Sequence, residues 1–179
     1  MFFTRVMVSL FEFGLSVAML AVGIYMVYRV IIKANPDFDM ELEIAKGNVA
    51  VGILVGAILI ATSSILQKVS FSVVSMFRLF LTAPPEHGIS FWQLPLIAAG
   101  HLVMAFALSM FTISFTLRTF GRLTTRMEEG KELAKGNVAV GVLLASVVLV
   151  AAMFVGEGVS SVSKALIPQP SIGKIQILK

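Results

Sequence analysis

Four stretches of this chain are each long and apolar enough to cross a bilayer, which takes about 20 mainly apolar residues. They run from Val6 to Tyr28, Val49 to Leu66, Leu94 to Leu117 and Val138 to Val155, and the second and fourth carry no charge at all. Only 13% of the 179 residues are charged, 58% are hydrophobic, and the mean hydropathy is +0.95. Soluble domains use roughly 25% charged residues, so the chain reads as an integral membrane protein. Arg5 ahead of the first stretch invites a reading as a secretory signal. The stretch is too long for a signal core, lacks a small-x-small cleavage site after it and has a counterpart in the second half, so it is expected to be a retained helix.

Residues 43–52 read EIAKGNVAVG and residues 132–141 read ELAKGNVAVG, nine of ten positions identical at a spacing of 89 residues. The same shift pairs Glu43 with Glu132, Lys46 with Lys135, Asn48 with Asn137, Gly52 with Gly141, and Arg29 with Arg118. The chain is therefore an internal duplication. Each unit holds two spans, so the second enters the membrane from the same side as the first. The repeats are parallel, related by an axis along the membrane normal, and not the inverted repeats of many transporters. The expected fold is an all-α membrane protein of four transmembrane helices in two tandem parallel-repeat hairpins, with both motifs at one face. Residues 1–69 form the first hairpin, 70–90 a linker, 91–165 the second hairpin and 166–179 a tail. Ser70 to Ala83 is apolar but too short to span and is stopped by Pro84 and Pro85, which predicts a short interfacial or re-entrant helix. The tail alternates apolar and polar residues, either as a strand against a neighbouring subunit or as a frayed end.

Lys and Arg counts near span ends set orientation. The loops after the first and third spans carry eight, among them Arg29, Lys33, Arg118 and Arg126, against Arg5, Lys68, Arg78 and Lys164 close to the other face. Both termini are expected outside and the motif loops in the cytoplasm. The net charge of +4 suits anionic head groups of the lipid bilayer better than nucleic acid. The chain has no cysteine, which excludes disulfides and thiolate metal sites.

Each motif copy sits at the start of a span. Glu43 and Glu132 are expected in or just before the first helical turn, where the helix dipole favours a carboxylate, and Lys46 and Lys135 can snorkel to the head groups. Asn48, Gly52 and Gly56 follow at i, i+4 and i+8, mirrored by Asn137, Gly141 and Ala145. Small residues at this spacing let membrane helices approach closely, and an Asn amide can bond across the contact. The motif is then either a packing seam with a charged collar or the rim of a polar opening.

Ionisable groups inside spans are functional candidates by default. The 89-residue shift sets Glu12 opposite His101 and Lys68 opposite Glu157, so these four are expected at comparable depth, as one charge cluster. His101 also starts a stripe through Ala105, Ser109, Thr112 and Thr116, which either lines a watery path or knits helices together. Glu12 and His101 fall short of the ligands zinc takes, so no metal and no cofactor are expected. His87 reads as a solvated loop residue. The chain has no glycine-rich phosphate loop, nucleophile elbow or HExxH motif, and no enzymatic activity is expected.

The duplicated hairpin with its twin AKGN segments resembles the YjfL-type bacterial inner-membrane family, the domain of unknown function 350, over nearly the whole chain. The resemblance implies a four-helix protein of the bacterial inner membrane, with periplasmic termini on the charge count, and brings no agreed activity. Members are often encoded near membrane-stress coat proteins of the phage-shock type, which implies a peripheral membrane-stress protein as a partner. Two functions are expected from the residues. One is a homo-oligomeric channel or transporter for a small ion or solute, using the in-membrane charges and the hydroxyl stripe. The other is a non-conducting scaffold whose charged cytoplasmic loops recruit the peripheral partner.

Overall fold

The computed structural model describes residues 2–32, 38–82, 92–124 and 127–166. Helix α1, Phe2–Val27, runs on into a π-helical turn at Tyr28–Ile32. A short α2, Met40–Ala45, precedes the long α3, Val49–Thr82. Helix α4, Gln93–Leu123, is followed by a short α5, Glu129–Ala134, and by α6, Val138–Ala165. Among the described residues there is no strand. Four helices are long and apolar enough to cross a membrane, and the chain is an all-α membrane protein. Lipid offers a backbone no hydrogen-bond partner, and helices alone satisfy theirs within one segment.

His87 and the C-terminal tail lie outside the described residues, as do Lys33 and Arg126. The expected interfacial helix is a correction: Ser70–Thr82 is the unbroken continuation of α3. Gln67 and Lys68 interrupt the hydropathy of this segment but contain nothing that breaks a helix. Val69, Val73 and Met76 extend the buried stripe of Ile58, Ala61 and Ile65, so the same face keeps packing. At the ordinary helical rise the 34 residues of α3 span about 51 Å, against about 30 Å of hydrocarbon. The apolar part ends near Gln67, about 27 Å above Val49. The rest of α3 rises beyond it beside the start of α1, where Phe11 stacks on Phe77 with ring centroids 4.0 Å apart.

Helices α3 and α6 form the principal contact and run side by side in the same direction. At one end the Asn48 amide donates to the Leu133 carbonyl just ahead of α6, 2.8 Å away. At the other, Lys68 pairs with Glu157. In between, Gly141 lies so close to α3 that a Cβ there would be 2.6 Å from the Ala50 carbonyl oxygen. Such approach is how membrane helices gain packing when lipid supplies no hydrophobic drive between them. Helix α4 packs against both α3 and α6, whereas α1 packs chiefly on α3. The short helices α2 and α5 mark one end of the bundle, the collar end; the chain's first helix starts at the opposite, terminal end.

Candidate functional site

The repeated decapeptide builds two copies of one local structure. In the first, α2 closes with Lys46 as its last cap and Gly47 in the left-handed region at φ +82. The Gly47 N–H donates to the Ile44 carbonyl and the Asn48 N–H to the Glu43 carbonyl, the paired bonds of a Schellman stop. Gly136, at φ +80, does the same after α5, donating to Leu133 while Asn137 donates to Glu132. Only glycine takes that backbone conformation without strain, which accounts for the G of AKGN. The N then caps the next helix: Asn48 Oδ1 accepts from Val51 N and Asn137 Oδ1 from Val140 N. One tight turn thus ends a short helix and starts a span.

Of the two positions the sequence left open, the glutamates take the one just before the first turn of each span. They stand in the preceding short helices and reach back. Glu43 accepts from Lys46 Nζ at 2.8 Å and from Asn48 Nδ2 at 3.1 Å, and Glu132 accepts from Lys135 at 2.7 Å and Asn137 at 3.0 Å. The Lys46 and Asn48 bonds hold the Glu43 carboxyl below its usual value, and the Asn137 and Lys135 bonds do so for Glu132. The Lys135 ammonium is raised by Glu132. A carboxylate depressed in the folded state adds stability that is present above its unfolded value and is lost as pH falls through the folded one. The collars should accordingly hold at neutral pH and weaken on acidification below about pH 4. Protection of the Gly47, Asn48, Gly136 and Asn137 amides, taken relative to their intrinsic exchange at each pH, should fall in that range, and Glu43→Gln with Glu132→Gln should abolish the pH step.

The two collars are alike internally and unlike outside. Asn48 Nδ2 reaches the other repeat, at Leu133 and, more distantly, Ala134, whereas Nδ2 of Asn137 bonds to Glu132 alone among the described residues. Gly141 is pressed on α3 and Ala145 is buried, but a Cβ on Gly52 or Gly56 would meet no atom within 4 Å. Among the described residues the seam read from the sequence is thus used on α6 and open on α3.

The four in-membrane ionisable residues do not gather into one cluster. Lys68 and Glu157 do meet in an ion pair. Glu12 lines a separate groove between α1 and the top of α3 with Arg5, Ser9 and Arg78. His101 is buried at 6% exposure on α4. Repeats related by a rotation place equivalent residues at one depth but aim them at different neighbours, so the pairing of Glu12 with His101 by shift is not a contact.

His101 Nδ1 lies 2.8 Å from the Ile97 carbonyl. A carbonyl only accepts, so Nδ1 carries the proton and a neutral ring presents Nε2 as an acceptor. Nε2 is buried and makes no hydrogen bond to a described residue, as do Thr62 Oγ1, Ser72 Oγ and Ser163 Oγ. Ser109 and Thr112 are buried on the same helix as His101, but the Ser109 hydroxyl is spent on its own Ala105 carbonyl at 2.8 Å. Ser72 stands 22 positions after Ala50, and Ser163 the same number after its neighbour Gly141. Both are about 33 Å above the collar contact by helical rise. His101 lies as far from the collar end of α4 at Leu123. Thr62 is nearer the middle of the span. Thr62, Ser72 and Ser163 escaped the sequence reading. The signal available was that they interrupt buried apolar stripes, Thr62 between Ile58 and Ile65 and Ser72 beside Val69 and Val73.

Among the described residues no three His, Asp or Glu side chains converge as a metal ion would require. A family model described as Domain of Unknown Function (DUF350) matches residues 1–159, which takes in both collars and the spans up to Val159. The chain belongs to the DUF350 family. No curated protein and no solved structure matches it. Since the DUF350 description carries no activity, any function rests on the geometry of these side chains.

Proposed function

We propose that this DUF350 protein is a membrane transport protein whose step is linked to a proton carried by His101. The observation that supports it is the buried imidazole whose Nε2 has no hydrogen-bond partner among the described residues. A polar atom left buried without a partner costs about 1–3 kcal/mol, and ionisable groups on membrane helices are the ones used as proton relays. By helical rise Ser72 and Ser163 stand at a height similar to His101, and Thr62, Ser109 and Thr112 are buried nearer the middle of their helices. On the collar side the core is filled by Leu54, Val55, Leu144 and Val148. Hydroxyls interrupting the apolar packing of the terminal half, above an apolar layer on the collar side, suit a gated path. Protonation of Nε2 creates a buried cation and turns that nitrogen from an acceptor into a donor.

Sealed proteoliposomes with an imposed pH gradient test this reading. Wild-type protein is expected to dissipate the gradient, His101→Leu to hold it like empty vesicles, and Thr62→Val to slow the flux with the fold intact. Tight wild-type vesicles, or flux unchanged by His101→Leu, would overturn it. The second reading, a scaffold for a peripheral protein at the collar end, is favoured by the exposure of Arg29, Arg118 and Arg122 there. It predicts instead that charge reversal of these arginines abolishes recruitment and leaves the spans indifferent to mutation.

A further inference from the structure

The α3–α6 contact joins two different faces. Helix α3 contributes the side of Ala50, Ile65 and Lys68, and α6 contributes the side of Gly141 and Gly156: Ala50 abuts Gly141, while Ile65 and Lys68 abut Gly156. Under the 89-residue shift the α6 face corresponds to Gly52, Gly56, Ser63 and Gln67 on α3. That stripe is open, with Gly52, Ser63 and Gln67 exposed. The α3 face corresponds to Ala139, Val150, Phe154 and Glu157 on α6, and these too are exposed. Each repeat thus carries a knob face and a socket face. One knob and one socket are joined within the chain; one of each is left over.

From this we infer that the partner of both unused faces is a second copy of the chain, whose α6 seats on the first copy's α3 as α3 seats on α6 within one chain. A groove of about 330 Å³ marks the place, lined by Ser16, Met19 and Leu20 of α1 and by Ser63, Leu66 and Gln67 of α3, with Ser70 at its end. In the second repeat the equivalent positions are already covered. Ala105 and Ser109, the counterparts of Ser16 and Leu20, are fully buried, and Ala152, the counterpart of Ser63, is 3% exposed. The covering element there is α3, the equivalent of α6. Acyl chains are poor company for the serine hydroxyls and the Gln67 amide, which favours a protein occupant.

The polar ends match as well. Glu157 keeps 74% of its side chain exposed while paired with Lys68, and the repeated contact would bring it to Lys68 of the next copy. Asn137, which lacks the cross-repeat bond of Asn48, would find the Ile44 carbonyl of that copy. Faces that differ make a heterologous contact, which propagates until the rotation closes a ring. The assembly is therefore head to tail, with every α3 and α6 parallel, and does not depend on the transport reading.

The absence of native cysteine makes pairwise oxidation in membranes a clean test. Gly52→Cys and Ala139→Cys repeat the Ala50–Gly141 contact between chains, and Gln67→Cys with Phe154→Cys repeats that of Ile65 with Gly156 near the other end. All four positions are exposed, so the variants should fold. Each double variant is expected to give disulfide-linked oligomers ending at one closed size, each single variant only monomer, and a mixture of the two singles of a pair only dimer. Gly52-to-Gly52 or Ala139-to-Ala139 linkage in the single variants would show a like-on-like contact and overturn the proposal. So would monomer throughout, with lipid in the groove. Proton flux is read separately, so loss of transport with intact cross-linking would sink only the proposed function.

Discussion

Gly141→Leu is expected to unseat α6 from α3. A Cβ there already meets the Ala50 carbonyl oxygen at 2.6 Å and its Cα at 2.8 Å, and backbone cannot swing away as a flexible side chain does. Overpacking of this kind costs about 1–3 kcal/mol, and the rigid neighbour puts leucine at the upper end. Gly52→Leu changes the same letter of the first collar, where nothing lies within 4 Å. In detergent-dispersed monomer it should leave unfolding at the wild-type midpoint and act only on assembly in the membrane. Equal destabilisation by the two leucines would mean that the close approach of α6 to α3 is not as described.

The second large effect is expected at Asn48. Asn48→Ala removes the N-cap of α3, about 0.5–2 kcal/mol, and with it the donation to Leu133, whose loss costs a further 0.5–1.5 kcal/mol or about that. Leu133 is 3% exposed, so water does not easily replace the amide at its carbonyl. Asn137→Ala removes the equivalent cap of α6 but no bond to the other repeat. The monomer should therefore lose about 1 kcal/mol more from Asn48→Ala than from Asn137→Ala, measured as unfolding midpoints in denaturant. Identical losses would show that the cross-repeat bond contributes nothing.

These two contrasts mark what was legible in the letters. Hydropathy places all four spans, because lipid demands long uncharged helices and little else. The 89-residue shift places both collars, because nine identical residues in ten fold alike. The helix stop inside the collar was readable and was missed: K-G-N puts glycine in the left-handed position and asparagine at the start of the next helix. It sets Glu43 and Glu132 in separate short helices just before the spans. Hydropathy lost Ser70–Thr82 because Gln67 and Lys68 end the lipid-facing stretch without ending the helix. What no single repeat can show is its surroundings. Gly52 and Gly141 share a motif, yet one is open and the other is pressed on a backbone, because the rotation between repeats gives each a different neighbour. The same rotation parts Glu12 from His101 while Lys68 still meets Glu157.

The central claim is that the twin collars stand at one end of the bundle and set α3 and α6 side by side in parallel. Its most direct measurement is a pair of spin-label distances in liposomes, diluted with unlabelled chain. One pair of labels replaces Ala45 and Ala134 in the collars, and the other Ser64 and Met153 in the upper halves of α3 and α6. The account predicts that both pairs are short, within about 20 Å, since adjacent packed helices have axes about 8–10 Å apart. A collar pair separated by the bilayer, about 30 Å or more, would place the repeats in opposite orientations and contradict it.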